Sequence, residues 1–275
     1  IKGPGAEEFL DNLVANKLPK KVGRINLCHA LNTKGGVHSE FTIMRESHDS
    51  FYLVSAGAFQ RLDHDWILKW MPSDGSVQFE NLTNSNGVLV VSGPKARDLM
   101  QRVSKDDFSN ENFKWLTAKN VNIGYAPVNA MRVNFVGELG WELHHPIEYQ
   151  NHIFDKLMEA GNNEGLIPAG FAALAKLRIE AGLILFGNEF DGQQDPFEAG
   201  IGFAVPLKTK MEDFVGKDEL IKRKNNPQKK LVGLELDGKE IAGHGDCVHI
   251  GRSQIGVITS GCLSSTLNKN IALCR

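Results

Sequence analysis

One internal repeat constrains the fold of this 275-residue chain more than any other feature of its sequence. Ile1–Leu10 and Val91–Met100 share the pattern apolar-x-Gly-Pro-x-Ala-x-x-apolar-apolar, so that residue 91 corresponds to residue 1. In both copies we expect an apolar strand to end at the glycine, because the following proline suits the first turn of a helix. The repeat therefore predicts two similar strand–helix halves that pack against each other.

The hydrophobic pattern of the other residues predicts the strands and helices that complete these halves. Between Val37 and Ile43 apolar and polar residues alternate, which is typical of a strand with one buried face. Apolar residues at helical spacing from Ile153 to Met158 predict a helix that Gly161 ends. The other expected elements are strands at Phe51–Val54, Gly87–Val91, Met131–Phe135 and Trp141–Leu143, and helices at Arg61–Trp70 and Ala169–Ala181.

The character of the sequence changes after Pro206. Lys222–Lys230 is basic and rich in residues that interrupt regular structure, and we expect a solvated loop there. Two short apolar runs with glycine turns follow, at Leu231–Leu236 and Ile255–Thr259. Such runs predict a small β-rich lobe that resembles a barrel.

The expected fold class is α+β, with two similar α/β lobes and a small C-terminal β-barrel-like lobe. The sequence starts at Ile1 without a methionine, as if within a strand, and it stops after the strand-like run Ile271–Leu273. We therefore expect the first and third lobes to be incomplete parts of a longer protein. The predicted lobes are residues 1–85, 86–205 and 206–275.

Composition and charge narrow the classes of partner. The 31 basic and 33 acidic residues give a net charge of −2, which predicts neither a nucleic-acid nor a membrane partner. The four scattered cysteines form no C-x-x-C pair, so we expect reduced thiols and no metal site. Such thiols suit an intracellular protein, cytoplasmic or, in a eukaryote, of the mitochondrial matrix. No phosphate-binding loop, dinucleotide fingerprint or nucleophile elbow is present.

Two glutamates lie in settings that suggest chemistry. Glu40 follows a Gly-Gly turn, and Glu142 lies between Trp141 and Leu143. A carboxylate among apolar neighbours needs a partner or a raised pKa, although two solvent-facing strand residues would give the same pattern. The adjacent His144 and His145 should point to opposite faces of a strand, as ordinary strand histidines do, and cannot share a metal.

Five segments, in one order along the chain, carry a resemblance to a known family. Arg132–Glu142 reads R-V-N-F-V-G-E-L-G-W-E, and Leu177–Asp191 reads L-R-I-E-A-G-L-I-L-F-G-N-E-F-D. The others are Asp195–Gly200, Phe214–Leu220 and Ile255–Ala272. Together they resemble the aminomethyltransferase (glycine cleavage T-protein) family, which includes the folate-binding domains of dimethylglycine and sarcosine dehydrogenases. The resemblance implies three lobes arranged as a ring around a central pocket for tetrahydrofolate.

The same resemblance implies roles for four residues. Glu142 matches the glutamate that holds the pterin ring through paired hydrogen bonds, and Leu27 and Val54 match positions near that ring. Glu40 matches the catalytic aspartate of the family. That carboxylate orients the folate and stabilises the positive charge that develops as N5 attacks the one-carbon unit.

Four positions depart from the family pattern. Glu40 is one methylene longer than aspartate, and Phe135 lacks the hydroxyl of the tyrosine it replaces. Phe203 stands where tryptophan is frequent, so both phenylalanines remain candidate contacts of the folate. Leu174 replaces an arginine that meets the glutamate tail of folate in T-proteins, and this weakens the expected recognition of the tail.

The function that this resemblance implies is tetrahydrofolate-dependent one-carbon transfer of the glycine-cleavage type, with a lipoyl-carrier protein as donor. One alternative is the folate-binding domain of a dimethylglycine or sarcosine dehydrogenase or oxidase, which would take its carbon from a small-molecule amine after a flavin domain. Another is a non-catalytic folate-binding protein of the iron–sulfur maintenance type, although Asp213 stands where that protein has cysteine. A methyl transferase acting on a sulfur compound also remains open, because one scaffold can serve several reactions.

Overall fold

The computed structural model describes residues 1–275 and contains six α-helices and eleven β-strands. The helices are α1 (Ala6–Leu13), α2 (Gln60–Trp70), α3 (Ala96–Val103), α4 (Gln150–Gly161), α5 (Phe171–Glu180) and α6 (Lys217–Lys224). The strands are β1 (Ile25–Leu31), β2 (Val37–Arg45), β3 (Phe51–Val54), β4 (Asn86–Ser92), β5 (Ala118–Ile123), β6 (Ala126–Met131), β7 (Gly140–Pro146), β8 (Val232–Leu236), β9 (Cys247–Ile250), β10 (Ser253–Ser264) and β11 (Lys269–Cys274). They form three antiparallel sheets, β1-β2-β3, β4-β7-β6-β5 and β8-β11-β10-β9. The predicted α+β class and the separate C-terminal β-rich lobe are confirmed.

The repeat in the sequence is also a repeat in the fold. Gly3 and Gly93 have nearly the same backbone angle, with φ of 123° and 125°. The N–H groups of Ala6 and Ala96 donate to the carbonyl oxygens of these glycines, both at 3.0 Å, as α1 and α3 begin. Ile1 and Lys2 pair with the chain at the start of β3, in the same way that β4 pairs with β7 in the second lobe. The order of paired segments is therefore the same in both lobes.

Each of the first two sheets packs one face against the helices of its own lobe. Phe41 of β2 lies in a core with Leu10 of α1 and Trp66 of α2. In the second lobe Trp141 of β7 lies in a core with Ile153 of α4. Because alternate residues of a strand point to opposite faces of the sheet, the residues between these core positions face away from the helices.

These remaining faces of the two sheets meet along one line. Ile25 and Met44 of the first sheet pack together with Ala118 and Met131 of the second. Within the first sheet Met44 is the cross-strand partner of Ile25, and within the second sheet Met131 is the cross-strand partner of Ala118. Corresponding residues of the two repeats therefore pack against each other, and the interface is approximately symmetric.

Main-chain hydrogen bonds cross the same line reciprocally. The N–H of Ile25 donates to the carbonyl of Leu116 at 3.0 Å, and the N–H of Ala118 donates to the carbonyl of Gly23 at 2.7 Å. Hydrogen bonds between main chains fix orientation more strictly than apolar contact does, because they are directional. The two lobes are therefore held in one relative position.

The segment after α5 returns to the first lobe before the chain enters the third sheet. Phe186, Phe190 and Val205 pack with Leu31 and Val37 of the first lobe. The sequence placed residues up to 205 in the second lobe, and that boundary stays a prediction. The packing shows that this stretch contributes to the surface of the first lobe.

Helix α5 lies against the third sheet. Ile179 packs with Cys262 of β10 and Ile271 of β11. Beside this contact Arg178 and Glu189 form a buried ion pair, with 2.7 Å between Nη1 and Oε2. The pair joins α5 to the segment that packs on the first lobe.

Three predictions of local structure are wrong in detail. The strand expected over Met131–Phe135 ends at its first residue, because the side chain of Asn134 accepts a main-chain N–H two residues on and starts a turn. Helix α4 includes Gly161 and continues as a 3-10 turn to the left-handed Gly165, with φ of 83°. Residues 222–224 of the basic stretch close α6, where positive charge suits the carbonyl end of a helix. None of the helices combines the length and the apolar character needed to cross a bilayer.

Candidate functional site

Strand register places three of the expected site residues on one face of the first sheet. Leu27, Thr42 and Val54 lie side by side on β1, β2 and β3, and Glu40 lies two residues along β2 from Thr42. This is the face that carries Met44 and meets the second sheet. The helices cover the opposite face, so these four side chains lie on the side of the sheet where a ligand could be held.

Glu142 lies on the corresponding face of the second sheet. It pairs across strands with Met131 on one side and Val90 on the other. Its side chain is 24% exposed, and its Oε2 lies 3.2 Å from Nε2 of His144. Its Oε1 makes no hydrogen bond within the protein, while Val90 is 54% exposed beside it. A carboxylate oxygen without a partner therefore lies next to open apolar surface.

His144 continues a chain of hydrogen bonds into the first lobe. Its Nδ1 lies 3.2 Å from the hydroxyl of Tyr52, which accepts a hydrogen bond from Nδ2 of Asn86 at 3.2 Å. Burial raises the pKa of Tyr52, so this hydroxyl keeps its proton and can donate. The adjacent His145 points the other way, to the carbonyl of Leu143 and the side chain of Gln150, as the sequence predicted for neighbouring strand residues.

Glu40 is paired with a histidine of the neighbouring strand. Its Oε2 lies 2.8 Å from Nε2 of His29, whose side chain is fully buried. Nδ1 of His29 has no hydrogen-bond partner. Nε2 of His29 therefore carries a proton and donates to Glu40, because the carboxylate oxygen can only accept a hydrogen bond.

The turn before β2 fixes where the strand that carries Glu40 begins. The side chain of Asn32 accepts the N–H groups of Lys34 and Gly36 and donates to the carbonyl of Gly192 at 2.8 Å. A Cβ on Gly36 would collide with the main chain of Gly192. The Gly-Gly turn seen in the sequence therefore allows a close approach of two main chains at the start of β2.

A cavity of about 430 Å³ opens beside the line where the two sheets meet. Val54, Tyr52, Val88 and His144 contribute to its wall, together with residues of α2. Leu27, Glu40 and Glu142 do not line it. The cavity therefore adjoins the candidate site through His144 and Val54 and does not by itself define the site.

Phe135 and Phe203 lie outside the two facing sheet surfaces. Phe135 is half-buried in the turn that follows β6, and Phe203 is 77% exposed on the 3-10 turn Gly202–Ala204. Leu174 is half-buried on α5. The structure thus brings Leu27, Glu40 and Val54 together on one sheet and sets Glu142 on the facing one, without adding either phenylalanine.

Three residues of this site were missed in the sequence. His29 could have been found by counting back from the Gly-Gly turn, because the hairpin register places it opposite Glu40. Tyr52 could have been found from the repeat, because it pairs with Met44 as Glu142 pairs with Met131. His144 gives no local signal, because its partners depend on how the two lobes pack.

Two family models match the chain. The GCVT N-terminal domain matches residues 1–209, and the Glycine cleavage T-protein C-terminal barrel domain matches residues 229–275. The first model alone covers the first two sheets and the segment that returns to the first lobe. The second model covers the third sheet, and the N-terminal model precedes the C-terminal one along the chain.

Similar proteins fall into two length classes. The chain is 37% identical to trimethylamine-oxide aldolase of Ruegeria pomeroyi, over 100% of this chain and 36% of that protein. It is 36% identical to mitochondrial dimethylglycine dehydrogenase of Homo sapiens, over 99% of this chain and 32% of that protein. It is also 36% identical to aminomethyltransferase of Caldanaerobacter subterraneus, over 99% of this chain and 72% of that protein. The chain thus spans about a third of the longer relatives and about three quarters of the shorter one.

A solved structure shares the fold. The crystal structure of glycine cleavage system aminomethyltransferase T from Bartonella henselae superposes with a TM-score of 0.86 at 23% identity. The superposition covers 99% of this chain and 73% of that one. The arrangement of the three lobes is therefore shared with that protein.

Proposed function

The chain belongs to the glycine cleavage T-protein family, and on that basis we propose that it is a tetrahydrofolate-dependent one-carbon transferase of the aminomethyltransferase type. Sequence identity of 36% to an aminomethyltransferase, over 99% of this chain, supports that reaction class. The residues that would bind and act on the folate are those of the two facing sheet surfaces.

The free oxygen of Glu142 is the observation that carries this proposal. A pterin ring presents an amino group and a ring N–H side by side, and a carboxylate accepts such a pair with good geometry. His144 holds one oxygen of Glu142, and the other has no partner within the protein. The exposed side chains of Val88 and Val90 offer an apolar surface for a flat ring beside that oxygen.

Glu40 is proposed as the catalytic carboxylate. Tetrahydrofolate would supply N5 as the nucleophile for the one-carbon unit. The negative charge of Glu40 would stabilise the positive charge that develops there, and His29 would hold the carboxylate in one orientation. Leu27 and Val54, on the same sheet face, would form apolar walls of the site. The exposed ring of Phe203 and the half-buried ring of Phe135 remain proposed folate contacts.

The proposed one-carbon donor is the aminomethyl group of a lipoyl-carrier protein. A second donor, a small methylated amine oxidised by a flavin domain, is favoured by the similarity to dimethylglycine dehydrogenase. Both donors deliver carbon at the same oxidation level to the same nitrogen. The proposed folate site would serve either donor.

Calorimetric titration with tetrahydrofolate tests the binding site. We expect Glu142→Ala to lose at least tenfold in affinity, as for loss of a charge-assisted hydrogen-bonding pair. Glu138→Ala is the matched control, because Glu138 lies exposed in the turn before the same strand. Equal affinity of the Glu142→Ala variant and the unaltered protein would remove Glu142 from the site.

The donor is tested by following methylene-tetrahydrofolate formation. The protein is incubated with tetrahydrofolate and either an aminomethyl-loaded lipoyl-carrier protein or dimethylglycine with a flavin dehydrogenase that oxidises it. Product with the first donor supports the aminomethyltransferase reaction, and product with only the second supports the dehydrogenase-linked role. Product with neither would contradict one-carbon transfer.

A further inference from the structure

We propose that His144 and Tyr52 are positioning residues that fix the orientation of Glu142 and so couple ligand binding to the contact between the first and second lobes. This inference rests on the proposed function, because it assigns a role within the same site. Neither residue need touch the ligand. They act by holding one oxygen of Glu142, which fixes the plane of the carboxylate that is presented to the ligand.

A single assignment of protons gives a donor and an acceptor to each of the three hydrogen bonds that link Asn86, Tyr52, His144 and Glu142. Asn86 donates from Nδ2 to the hydroxyl oxygen of Tyr52, and Tyr52 donates its proton to Nδ1 of His144. Nε2 of His144 then carries a proton and donates to Glu142. Because Tyr52 donates to Nδ1, the tautomer of His144 that carries its proton on Nε2 is selected, and that N–H is available to the carboxylate.

His144 is almost fully buried, so its ring nitrogens depend on these protein partners for hydrogen bonds. Its side chain is 2% exposed, and both ring nitrogens have partners within the protein. The ring of Tyr52 also packs edge-on against it, with 5.5 Å between ring centroids and an interplanar angle of 89°. A rigid ring with both nitrogens engaged fixes the neighbouring carboxylate better than water could, because it loses no freedom when the ligand binds.

The repeat shows that this arrangement is specific to one side of the interface. Tyr52 occupies in the first lobe the position that Glu142 occupies in the second, and Val54 occupies the position of His144. The first lobe therefore contributes a phenol and an apolar residue where the second contributes a carboxylate and an imidazole. The hydrogen bonds that cross the interface therefore run in one direction only, from Tyr52 of the first lobe to His144 and Glu142 of the second.

His145 provides a matched control within the same strand. It is as buried as His144, and it too uses both ring nitrogens. It points to the opposite face of the sheet, toward Leu143 and Gln150, and so has no path to Glu142. Its replacement should disturb the strand and leave the ligand site as it is.

The test measures the affinity for tetrahydrofolate by calorimetry in His144→Leu, His144→Gln, Tyr52→Phe and His145→Leu, each also in a Glu142→Gln background. We expect His144→Leu to weaken binding about tenfold and Tyr52→Phe about threefold, since each removes hydrogen bonding to a charged group or its support. His144→Gln should recover part of the loss because an amide N–H replaces Nε2–H. His145→Leu should stay within about twofold of the unaltered protein.

In the Glu142→Gln background we expect His144→Leu to have no further effect on affinity, because the orientation it provides no longer matters. An unchanged affinity for His144→Leu, or the same fold loss in both backgrounds, would overturn the positioning role while leaving the folate site intact. If His144→Leu does not fold, Tyr52→Phe decides, since it removes a single hydroxyl. A parent protein that binds no tetrahydrofolate would overturn the proposed function itself, and this inference with it.

Discussion

The carboxylate of Glu40 lies 2.8 Å from Nε2 of His29, and the histidine is fully buried beneath it. One oxygen of Glu40 is thereby held while its side chain remains 25% exposed. A carboxylate that is both anchored and accessible suits stabilisation of a charge that develops on a bound molecule.

Replacement of this carboxylate should separate catalysis from binding. We expect Glu40→Gln to slow methylene-tetrahydrofolate formation by about 10²-fold or more, as for loss of an electrostatic catalytic group, with little change in folate affinity. Initial rates at saturating folate and calorimetric titration measure the two effects. Turnover equal to that of the unaltered protein would count against a catalytic role for Glu40.

The repeated glycines offer a paired test of stability. Gly3→Ala and Gly93→Ala both place a side chain at a positive φ that glycine adopts freely, and we expect each to destabilise the fold by about 1 kcal/mol or more. Gly3→Ala should cost more, because its Cβ would meet the carbonyl oxygen of Ser76, whereas the Cβ at residue 93 would meet nothing within 4 Å. Urea unfolding measures the free energy of unfolding of both variants. Equal losses of stability would show that the contact between the new Cβ at residue 3 and Ser76 is relieved by a shift of the chain.

Asp63 should make stability depend on pH. The residue is 4% exposed, and its Oδ1 has no hydrogen-bond partner. The corresponding position of the second lobe is Ile153, which lies in an apolar core. Burial raises the pKa of Asp63 above its ordinary value. The folded protein therefore binds this proton more tightly than the unfolded chain, and stability falls as pH rises from the ordinary pKa of about 3.9 through the raised one.

The substitution Asp63→Asn removes the ionisable group and leaves the size and shape of the side chain nearly unchanged. We expect it to melt at a higher temperature than the unaltered protein near pH 7, with a difference that shrinks toward pH 4. Thermal melts across this range, with the exposed Asp65→Asn as control, provide the measurement. A difference that does not vary with pH would show that Asp63 does not titrate in the folded protein.

The buried ion pair of α5 should be a principal support of the third lobe. Glu189 accepts from Arg178 at 2.7 Å and from the hydroxyl of Ser260 in β10 at 2.5 Å. We expect Glu189→Gln to lower the free energy of unfolding by about 3–5 kcal/mol, because it leaves a buried guanidinium without its counter-charge. Urea unfolding tests this, with the exposed Lys156→Met as control, for which no measurable change is expected.

Local pattern was enough to predict most of the fold. Alternation identified β2, and the glycine–proline repeat identified α1 and α3, because these signals depend only on neighbouring residues. The strand predicted at Met131–Phe135 shares only Met131 with β6. The chain turns after that residue because the side chain of Asn134 competes for the main chain, an effect that hydrophobic periodicity does not contain.

The candidate site was only partly accessible to the same reasoning. Glu40 and Glu142 could be singled out, since each is a carboxylate on a strand with apolar neighbours, and their roles came from the family resemblance. Their histidine partners were missed for different reasons. His29 follows from strand register, whereas the contact of His144 with Tyr52 joins residues 92 positions apart in the sequence and exists only once the lobes are packed.

An interface between two identical copies of a motif would be symmetric, and a molecule bound across it would have two equivalent orientations. Here the two copies differ at the contact itself. Tyr52 and Val54 of the first sheet occupy the positions that Glu142 and His144 occupy in the second. A molecule with two unlike ends would therefore meet different chemical groups on the two sides of the interface. The repeated scaffold thus presents one asymmetric surface in place of two equivalent ones.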